Sequence, residues 1–463
     1  MSADSAQLAA RLDRLPMTRH IWYLVTLISL GGCFEFYDLF LTAYIAPGLN
    51  RAGYFTPESL GPFSLLSPLH VAGIGTFVFA FFAGLFVGAI CLGHVADQYG
   101  RRTVFTFSLV WYSVTTAVMA LQTSGFGVDM WRFIAGIGIG VELVTIDTYV
   151  AELVPRTHRG RAFAYSQFFQ FLAVPIVALA AWLLVPRAPL GFDGWRWVVL
   201  IGAAASMIIW VLRLFLPESP LWLARHGRTE EAFRILATLE ARGGAVAAGP
   251  SPSLARPAVQ TAARVNFADL FRPPYLSLVV LFMVFNLCQA FGFYGFANWV
   301  PTLLVEKGIT VTKSLQYSFI VAFAYPIAPL LAASFADKFE RRWIIAGACI
   351  AIIAFGMAFA QLTEPGLLIV CGVLLTACNT TMSYAYHAYQ TEVFPTQIRA
   401  QASGLVYSMS RLSATFSGFI VAYMLKEAGV TGVFGLITVA MLIVVIAMAL
   451  FGPDVRGKAL DTV

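Results

Sequence analysis

Along this chain, apolar runs of roughly 20 residues alternate with short polar stretches from about residue 21 to residue 451. At 1.5 Å rise per residue, one such run crosses the ~30 Å hydrocarbon layer of a bilayer as a single helix. The pattern predicts spans over 21–43, 71–95, 104–122, 127–152, 163–185, 196–216, 275–303, 314–336, 343–362, 366–393, 401–425 and 430–451. Helices satisfy their own backbone polar groups in lipid, and the short alternating strands of an outer-membrane barrel are missing. The expected fold class is therefore all-α: an integral membrane bundle of twelve transmembrane helices.

Composition agrees. With 59% hydrophobic and 12% charged residues, the chain carries more apolar surface than one water-soluble core can hide. Orientation follows from the short connections. A cytoplasmic amino terminus puts Arg11, Arg14, Arg19, Arg101, Arg102, Arg156, Arg159, Arg161, Lys338, Arg341, Arg342, Arg399, Arg456 and Lys458 on that side. Arg51, Arg187, Arg196, Lys307, Lys313 and Lys426 face out. Both termini are expected in the cytoplasm, and the net charge of +6 is a topology signal with attraction to anionic lipid, without need of nucleic acid. Cys33, Cys91, Cys288, Cys349, Cys371 and Cys378 all fall inside spans, which argues against a disulfide framework. The first 20 residues are polar and enter a long span without a cleavage site, so that span is expected to stay as a membrane helix. The acceptor-like Asn379-Thr380-Thr381 lies inside a span and is discounted.

The chain also repeats itself. GHVADQYGRR (93–102) aligns with ASFADKFERR (333–342), bringing Asp97 onto Asp337 and Arg101–Arg102 onto Arg341–Arg342. At the same offset AELVPRTHRGRA (151–162) aligns with TEVFPTQIRAQA (391–402), pairing Glu152 with Glu392 and Arg159 with Arg399. Two motifs at one offset point to duplication of a six-span unit, with the copies parallel about the membrane normal. The expected organisation is a polar segment 1–20, a first bundle 21–223, a linker 224–272, a second bundle 273–452 and a tail 453–463. The linker is rich in Gly, Ala and Pro, and TEEAFRILATLEA (229–241) predicts a short surface helix with an acidic first turn.

At these motifs the sequence resembles the major facilitator superfamily over essentially its whole length. GHVADQYGRR is similar to that superfamily's signature between spans two and three. The resemblance implies a cytoplasmic latch of Asp97, Arg101, Arg102, Glu152 and Arg159 with the counterparts Asp337, Arg341, Arg342, Glu392 and Arg399. PESPLWL (217–223) and the degenerate PDVRGKALD (453–461) resemble tags of the sugar porters and their organic-ion and vesicular-glycoprotein relatives. FEFYD (34–38) and GIGIGVEL (136–143) look like the bacterial niacin transporters. The long cysteine-rich outer loop of animal organic-anion relatives is missing from 44–70, which favours a bacterial inner-membrane protein.

Ionised side chains at mid-bilayer cost at least ~2.5 kcal/mol each, so the few present are functional suspects. They are Glu35, Asp38, Arg132, Glu142, Asp147, His387 and Arg411. Span one rises as span four descends, so Asp38 and Arg132 lie at similar depth and are placed to pair. The resemblance to proton-coupled sugar porters implies that such a pair is the proton switch; the alternative is a pair that only ties two helices. Glu35, one turn inward, and Glu142 are further proton candidates, with Glu142 also open to substrate contact. Arg411 is a permanent charge in a half whose spans hold no Asp or Glu interior. Facing aromatic rings, it would hold a carboxylate while the rings stack on a flat ligand, unless it merely snorkels or caps a neighbouring helix. The candidate substrate set is Arg411, Tyr37, Gln289, Phe293, Tyr294, Asn298, Trp299, Tyr384, Tyr386, His387 and Tyr389, with a structural tyrosine girdle on span ten as the alternative.

Gly136, Gly138 and Gly140 are expected to permit close helix packing. They are no nucleotide fingerprint, since the spacing is incomplete and no strand precedes them. No metal-ligand spacing and no nucleophile–base constellation is present, so no enzymatic reaction and no cofactor is expected. The reading is a monomeric proton-coupled symporter of a small aromatic monocarboxylate such as nicotinate, driven by the proton gradient through alternating access. The rivals are a sugar or polyol symporter, an organic-cation or drug exporter using Glu35, Asp38 and Glu142, and a non-transporting receptor.

Overall fold

The chain is described from a computed structural model over residues 3–69, 71–92, 98–155, 158–214, 216–242, 270–273, 275–335, 339–394 and 399–453. The described residues are helical with turns and bends and no strand, and the described part of each of the twelve expected ranges falls mainly on helix. Span one is Arg19–Arg51, span two Ile74–Leu92, span three Arg101–Ala120, span four Gly125–Leu153 and span six Gly194–Arg213. Span five runs as Arg159–Phe171 and Ala173–Leu184, and span eight as Val311–Ala322 and Ala324–Phe335. Span seven is Leu276–Ala297, continued by Val300–Glu306; span nine is Arg341–Gln361 and span ten Pro365–Val393. Spans eleven and twelve lie in Arg399–Phe451, divided at Gly429, whose φ of 64° and ψ of −164° only glycine adopts without strain. By length and apolarity alone, nine helices among the described residues are able to cross a membrane, with Gln401–Phe451 counted once, or ten with the bent pair Pro57–Leu69 and Ile74–Ala89.

Local chemistry starts these helices where the sequence changes character. Thr18 Oγ1 accepts the Ile21 N–H at 3.2 Å, Ser124 Oγ the Gly127 N–H at 3.1 Å, and Glu364 Oε2 the Leu367 N–H at 2.7 Å. Each satisfies one of the donors that a helix start leaves open.

Packing inside the first six spans and inside the last six follows one scheme. Span four packs on two and three as span ten packs on eight and nine, and span three packs on six as nine packs on the long carboxy-terminal helix. Spans two and four meet backbone to backbone: a Cβ on Gly84 would lie 2.1 Å from the Phe133 carbonyl oxygen, and one on Gly136 2.4 Å from that of Phe81. Gly140 notches onto Leu85 in the same way, whereas Gly138 faces Trp111 of span three. Small residues thus let these helices touch, as small residues do in membranes.

The first six spans meet the last six through a seam at the end away from the termini. Gly75 of span two lies against Ala422 and the Gly418 carbonyl of span eleven, and Phe79 stacks on Phe419 at 4.5 Å. Trp182 of span five stacks on Phe319 of span eight at 5.7 Å. At the opposite end the chain adds what the pattern did not predict, a helix over Ala3–Asp13 within the polar segment. It clasps the helix Thr229–Arg242, where Arg11 donates to both carboxylate oxygens of Glu240 at 3.0 and 2.6 Å. That second helix matches the expected surface helix, but Ala232, Leu236 and Leu239 are buried beneath its partners. The Gly-Ala-Pro stretch 243–257 lies outside the described residues.

Candidate functional site

Asp38 and Arg132, placed at similar depth by their spans, are in contact. Arg132 Nη1 donates to Asp38 Oδ2 at 2.8 Å, and Nη2 donates to Thr42 Oγ1 at 2.6 Å and to the Asp38 carbonyl. The guanidinium lies over the Phe81 ring at 4.2 Å, and Thr116 of span three donates to Asp38 Oδ1 at 3.4 Å. Arg132 is 0% exposed and Asp38 3%. Such a pair joins spans one, three and four, and protonating Asp38 would leave the arginine a buried charge without its counterion.

Glu35, one turn inward, is enclosed on span one. Near it, the Arg213 guanidinium covers Gly31, stacks on Phe105 at 3.3 Å and donates to the Phe105 carbonyl at 2.7 Å. Neither Arg213 nor the buried Asp129 of span four was among the sequence candidates; both sit near span ends, where a charge reads as a loop residue. The side chains of Glu142 and Asp147 lie outside the described residues.

In the last six spans, Arg411 is 9% exposed on span eleven. Its Nη2 donates to Tyr407 Oη at 2.9 Å, the guanidinium stands 4.8 Å from the Tyr407 ring centre, and the Tyr294 hydroxyl lies beside it. Among the described residues no carboxylate reaches it. His387 is exposed, its ring 5.7 Å from that of Tyr407 and its Nδ1 2.7 Å from the Ser383 carbonyl oxygen. Tyr294 packs edge-on against Phe293 at 5.1 Å and against Phe82 of span two at 4.7 Å, so this niche borders the first six spans. Gln289, 8% exposed, has no hydrogen-bond partner among the described residues. Tyr384 is half-buried on span ten.

Three candidates are engaged elsewhere, and two more stand at the break of span seven. Tyr37 donates to the Val198 carbonyl at 2.8 Å and lays its ring on Gly202, tying span one to six. Tyr386 stacks on Phe285 at 4.4 Å and accepts from Asn286 at 2.5 Å, and Tyr389 donates to the Pro453 carbonyl at 2.6 Å. Asn298 and Trp299 are enclosed at the break of span seven. Backbone carbonyls and ring stacking occupy Tyr37, Tyr386 and Tyr389, and the girdle alternative describes the last two better; the Asn298 side-chain amide and Trp299 Nε1 make no hydrogen bond among the described residues.

Two of the latch arginines, Arg102 and Arg342, are described with partners outside the predicted set. Arg102 Nη2 donates to the Leu214 carbonyl at the end of span six at 2.5 Å, and its backbone N–H donates to Glu218 of PESPLWL at 3.1 Å. Arg342, its repeat counterpart, donates to the Gly452 carbonyl at the end of span twelve at 2.8 Å and pairs with Glu340 at 2.5 Å. Each arginine meets the negative end of a terminal helix. Glu152 is buried near Tyr149, whose surroundings include Glu218, Arg102 and Arg213. Arg341 starts span nine with partners of its own. Glu218 was legible only as part of a tag, though it is the carboxylate that Arg102 meets. Asp97 and Asp337, and the side chains of Arg101, Arg159, Glu392 and Arg399, lie outside the described residues.

Comparison with known proteins agrees with this architecture. The sequence profile of the family described as "Sugar (and other) transporter" matches residues 24–463. A niacin transporter of Acinetobacter baylyi is 27% identical, covering 98% of this chain and 99% of its own. An inner membrane metabolite transport protein of Escherichia coli is 26% identical, covering 99% and 98%. The crystal structure of a D-xylose-proton symporter superposes with a TM-score of 0.73 at 20% identity, covering 95% of this chain and 99% of that one, a likeness of fold. The chain therefore belongs to the sugar (and other) transporter family of the major facilitator superfamily, and is a multi-pass membrane transporter of small molecules.

Proposed function

We propose that this transporter is a proton-coupled symporter of a small aromatic monocarboxylate such as nicotinate. The observation that carries the reading is Arg411, a nearly enclosed guanidinium whose described neighbours are tyrosines and a histidine rather than an acid. A buried cation without a counterion is poised for an anionic ligand, and a guanidinium binds a carboxylate with two parallel charge-assisted bonds. Tyr294, Tyr407 and Phe293 supply faces and edges for a flat ring. The similarity to a niacin transporter supports the same substrate class.

Coupling runs through Asp38 and Arg132. The proton neutralises Asp38 and loosens its hold on Arg132 while the substrate neutralises Arg411, so the fully loaded and the fully empty carrier bear the same net charge between the two open states. With the seam at Gly75, Gly418 and Ala422 shut, the structure supports a state closed at the end away from the termini. By the distribution of Lys and Arg, the termini lie in the cytoplasm of a bacterial inner membrane, and the unit works as a monomer. Proteoliposomes test this directly: labelled nicotinate or benzoate accumulates under an inward proton gradient, and absence of accumulation rejects the substrate class.

A second reading, a sugar or polyol symporter, is favoured by Gln289, an amide with no partner among the described residues that suits a hydroxyl. Under that reading hexoses compete for uptake and Gln289→Ala weakens them most.

A further inference from the structure

Asp129 stands on span four, one turn before Arg132, and is 0% exposed. Among the described residues neither carboxyl oxygen receives a hydrogen bond of ordinary geometry. Arg132, committed to Asp38 and Thr42, forms no ion pair with it. Beside Asp129 lies Thr76 at the start of span two, and that hydroxyl gives its hydrogen to the Gly73 carbonyl at 2.8 Å. With its hydrogen on Gly73, Thr76 turns a lone pair to Asp129; rotated, it is the one described donor that the carboxyl has. In the first arrangement a carboxylate meets oxygen against oxygen while a carboxylic acid donates to Thr76, and in the second a carboxylate has a single hydroxyl to offset complete burial. An ionised carboxyl enclosed with at most one donor costs several kcal/mol, so the ligand this geometry fits is a proton.

Few other ionisable groups can account for it. Span two, from Ile74 to Leu92, has no charged residue, and along span three the charged pair Arg101–Arg102 stands at the far end. Span one offers Asp38, already held by Arg132, the tyrosines Tyr37 and Tyr44, Glu35 further inward and the exposed Arg51 in its last turn; span three offers Tyr112. The short helix Pro57–Leu60 offers the exposed Glu58, and the neighbouring loop Tyr54, whose carbonyl abuts Gly125. His70 lies outside the described residues.

The place matters as much as the chemistry. Thr76 follows Gly75, which presses on Gly418 and Ala422 across the seam between the first and last six spans. We infer that Asp129 is a proton-binding gate residue, neutral while this seam is shut and deprotonated to water at that end when the seam opens. The proton returns from the same side on closure, so the site sets the pH range of opening and adds nothing to the proton count per substrate. The inference rests on the alternating-access part of the proposed function, and is independent of coupling through Asp38.

The test uses the full chain in liposomes with its native cysteines replaced and spin labels at Glu58→Cys and Lys313→Cys, on opposite sides of the seam. The distance distribution is followed against pH by double electron–electron resonance. The expected result is a shift to longer distance as pH rises, absent in Asp129→Asn and in Asp129→Leu, both permanently neutral, and retained in Asp38→Asn. A pH-independent distance in the unmutated chain, or an unchanged shift in both Asp129 variants, overturns the inference. If Asp38→Asn alone removes the shift, the gate assignment falls and proton coupling stands. If Asp129 behaves as expected but no proton-driven nicotinate uptake is found, the gate stands and the substrate reading falls.

Discussion

Spans four and ten are both 29 residues long and stand in the same repeat register, from the caps Ser124 and Glu364 to Glu152 and Glu392. Their chemistry differs. Span four carries Arg132 with Asp38 as its counterion, whereas the aligned place on span ten is Gly372, packed against Val321. The second half instead carries Arg411 on span eleven, where the aligned residue of span five is Phe171. Duplication kept the helices and the terminal arginines, and the buried charges diverged. One half holds a charge balanced within the protein; the other holds a charge that its described neighbours do not balance.

This contrast breaks first at Asp38. Asp38→Ala leaves Arg132 buried without its acid and is expected to cost about 3–5 kcal/mol, much of it recovered when Arg132→Ala is added. Thermal unfolding of the two single variants and the double variant in one detergent checks this, and additive losses would show the pair to be uncoupled. Arg411→Ala should behave oppositely, with little loss of stability but nicotinate binding weakened by about 1.5–3 kcal/mol, the usual worth of a hydrogen bond to a charged group. Calorimetric titration decides it; unchanged affinity removes Arg411 from the site.

Smaller effects sharpen the comparison. Gly136→Ala would push a methyl to within 2.4 Å of the Phe81 carbonyl oxygen and should cost about 1–3 kcal/mol, while Gly404→Ala, inside a helix with nothing within 4 Å, should be neutral or stabilise by up to about 1 kcal/mol. Arg102→Ala and Arg342→Ala, which release equivalent helix ends, should each cost about 1 kcal/mol, and a much larger loss in one would show that the two terminal clamps are unequal. The smallest effect is set by pH. Hydrogen bonds from the Leu367 and Gly366 N–H groups hold the exposed Glu364 carboxyl below its ordinary value, so its cap is fully present above the unfolded value and is lost as pH falls through the folded one. Glu364→Gln should therefore flatten the acid side of the stability–pH curve slightly, while Ser124→Ala lowers the curve evenly.

The span pattern, the repeat and the contact of Asp38 with Arg132 were legible because each depends on periodicity or on depth along a helix. Rotation about a helix axis was harder to read. Tyr386 and His387 are neighbours in sequence, yet one stacks on Phe285 and the other stands exposed beside Tyr407. Tyr37 adjoins Asp38 but turns to Val198. Asp129 and Arg213 were passed over because hydropathy marks span ends only to within several residues, and a charge there looks hydrated until neighbouring helices enclose it. The Ala3–Asp13 helix was invisible because its stabilisation is tertiary, through Leu8, Leu12 and Arg11 on the helix Thr229–Arg242.

The glycine notches of spans two and four also bear on how such a carrier can be re-engineered. Where a main-chain oxygen already fills the space of a first side-chain carbon, no bulkier residue enters without prising the two rods apart. That rib has to travel as one rigid piece, and new ligand preferences are more readily written into the wall around Arg411, where an open histidine and an unengaged glutamine leave room for change.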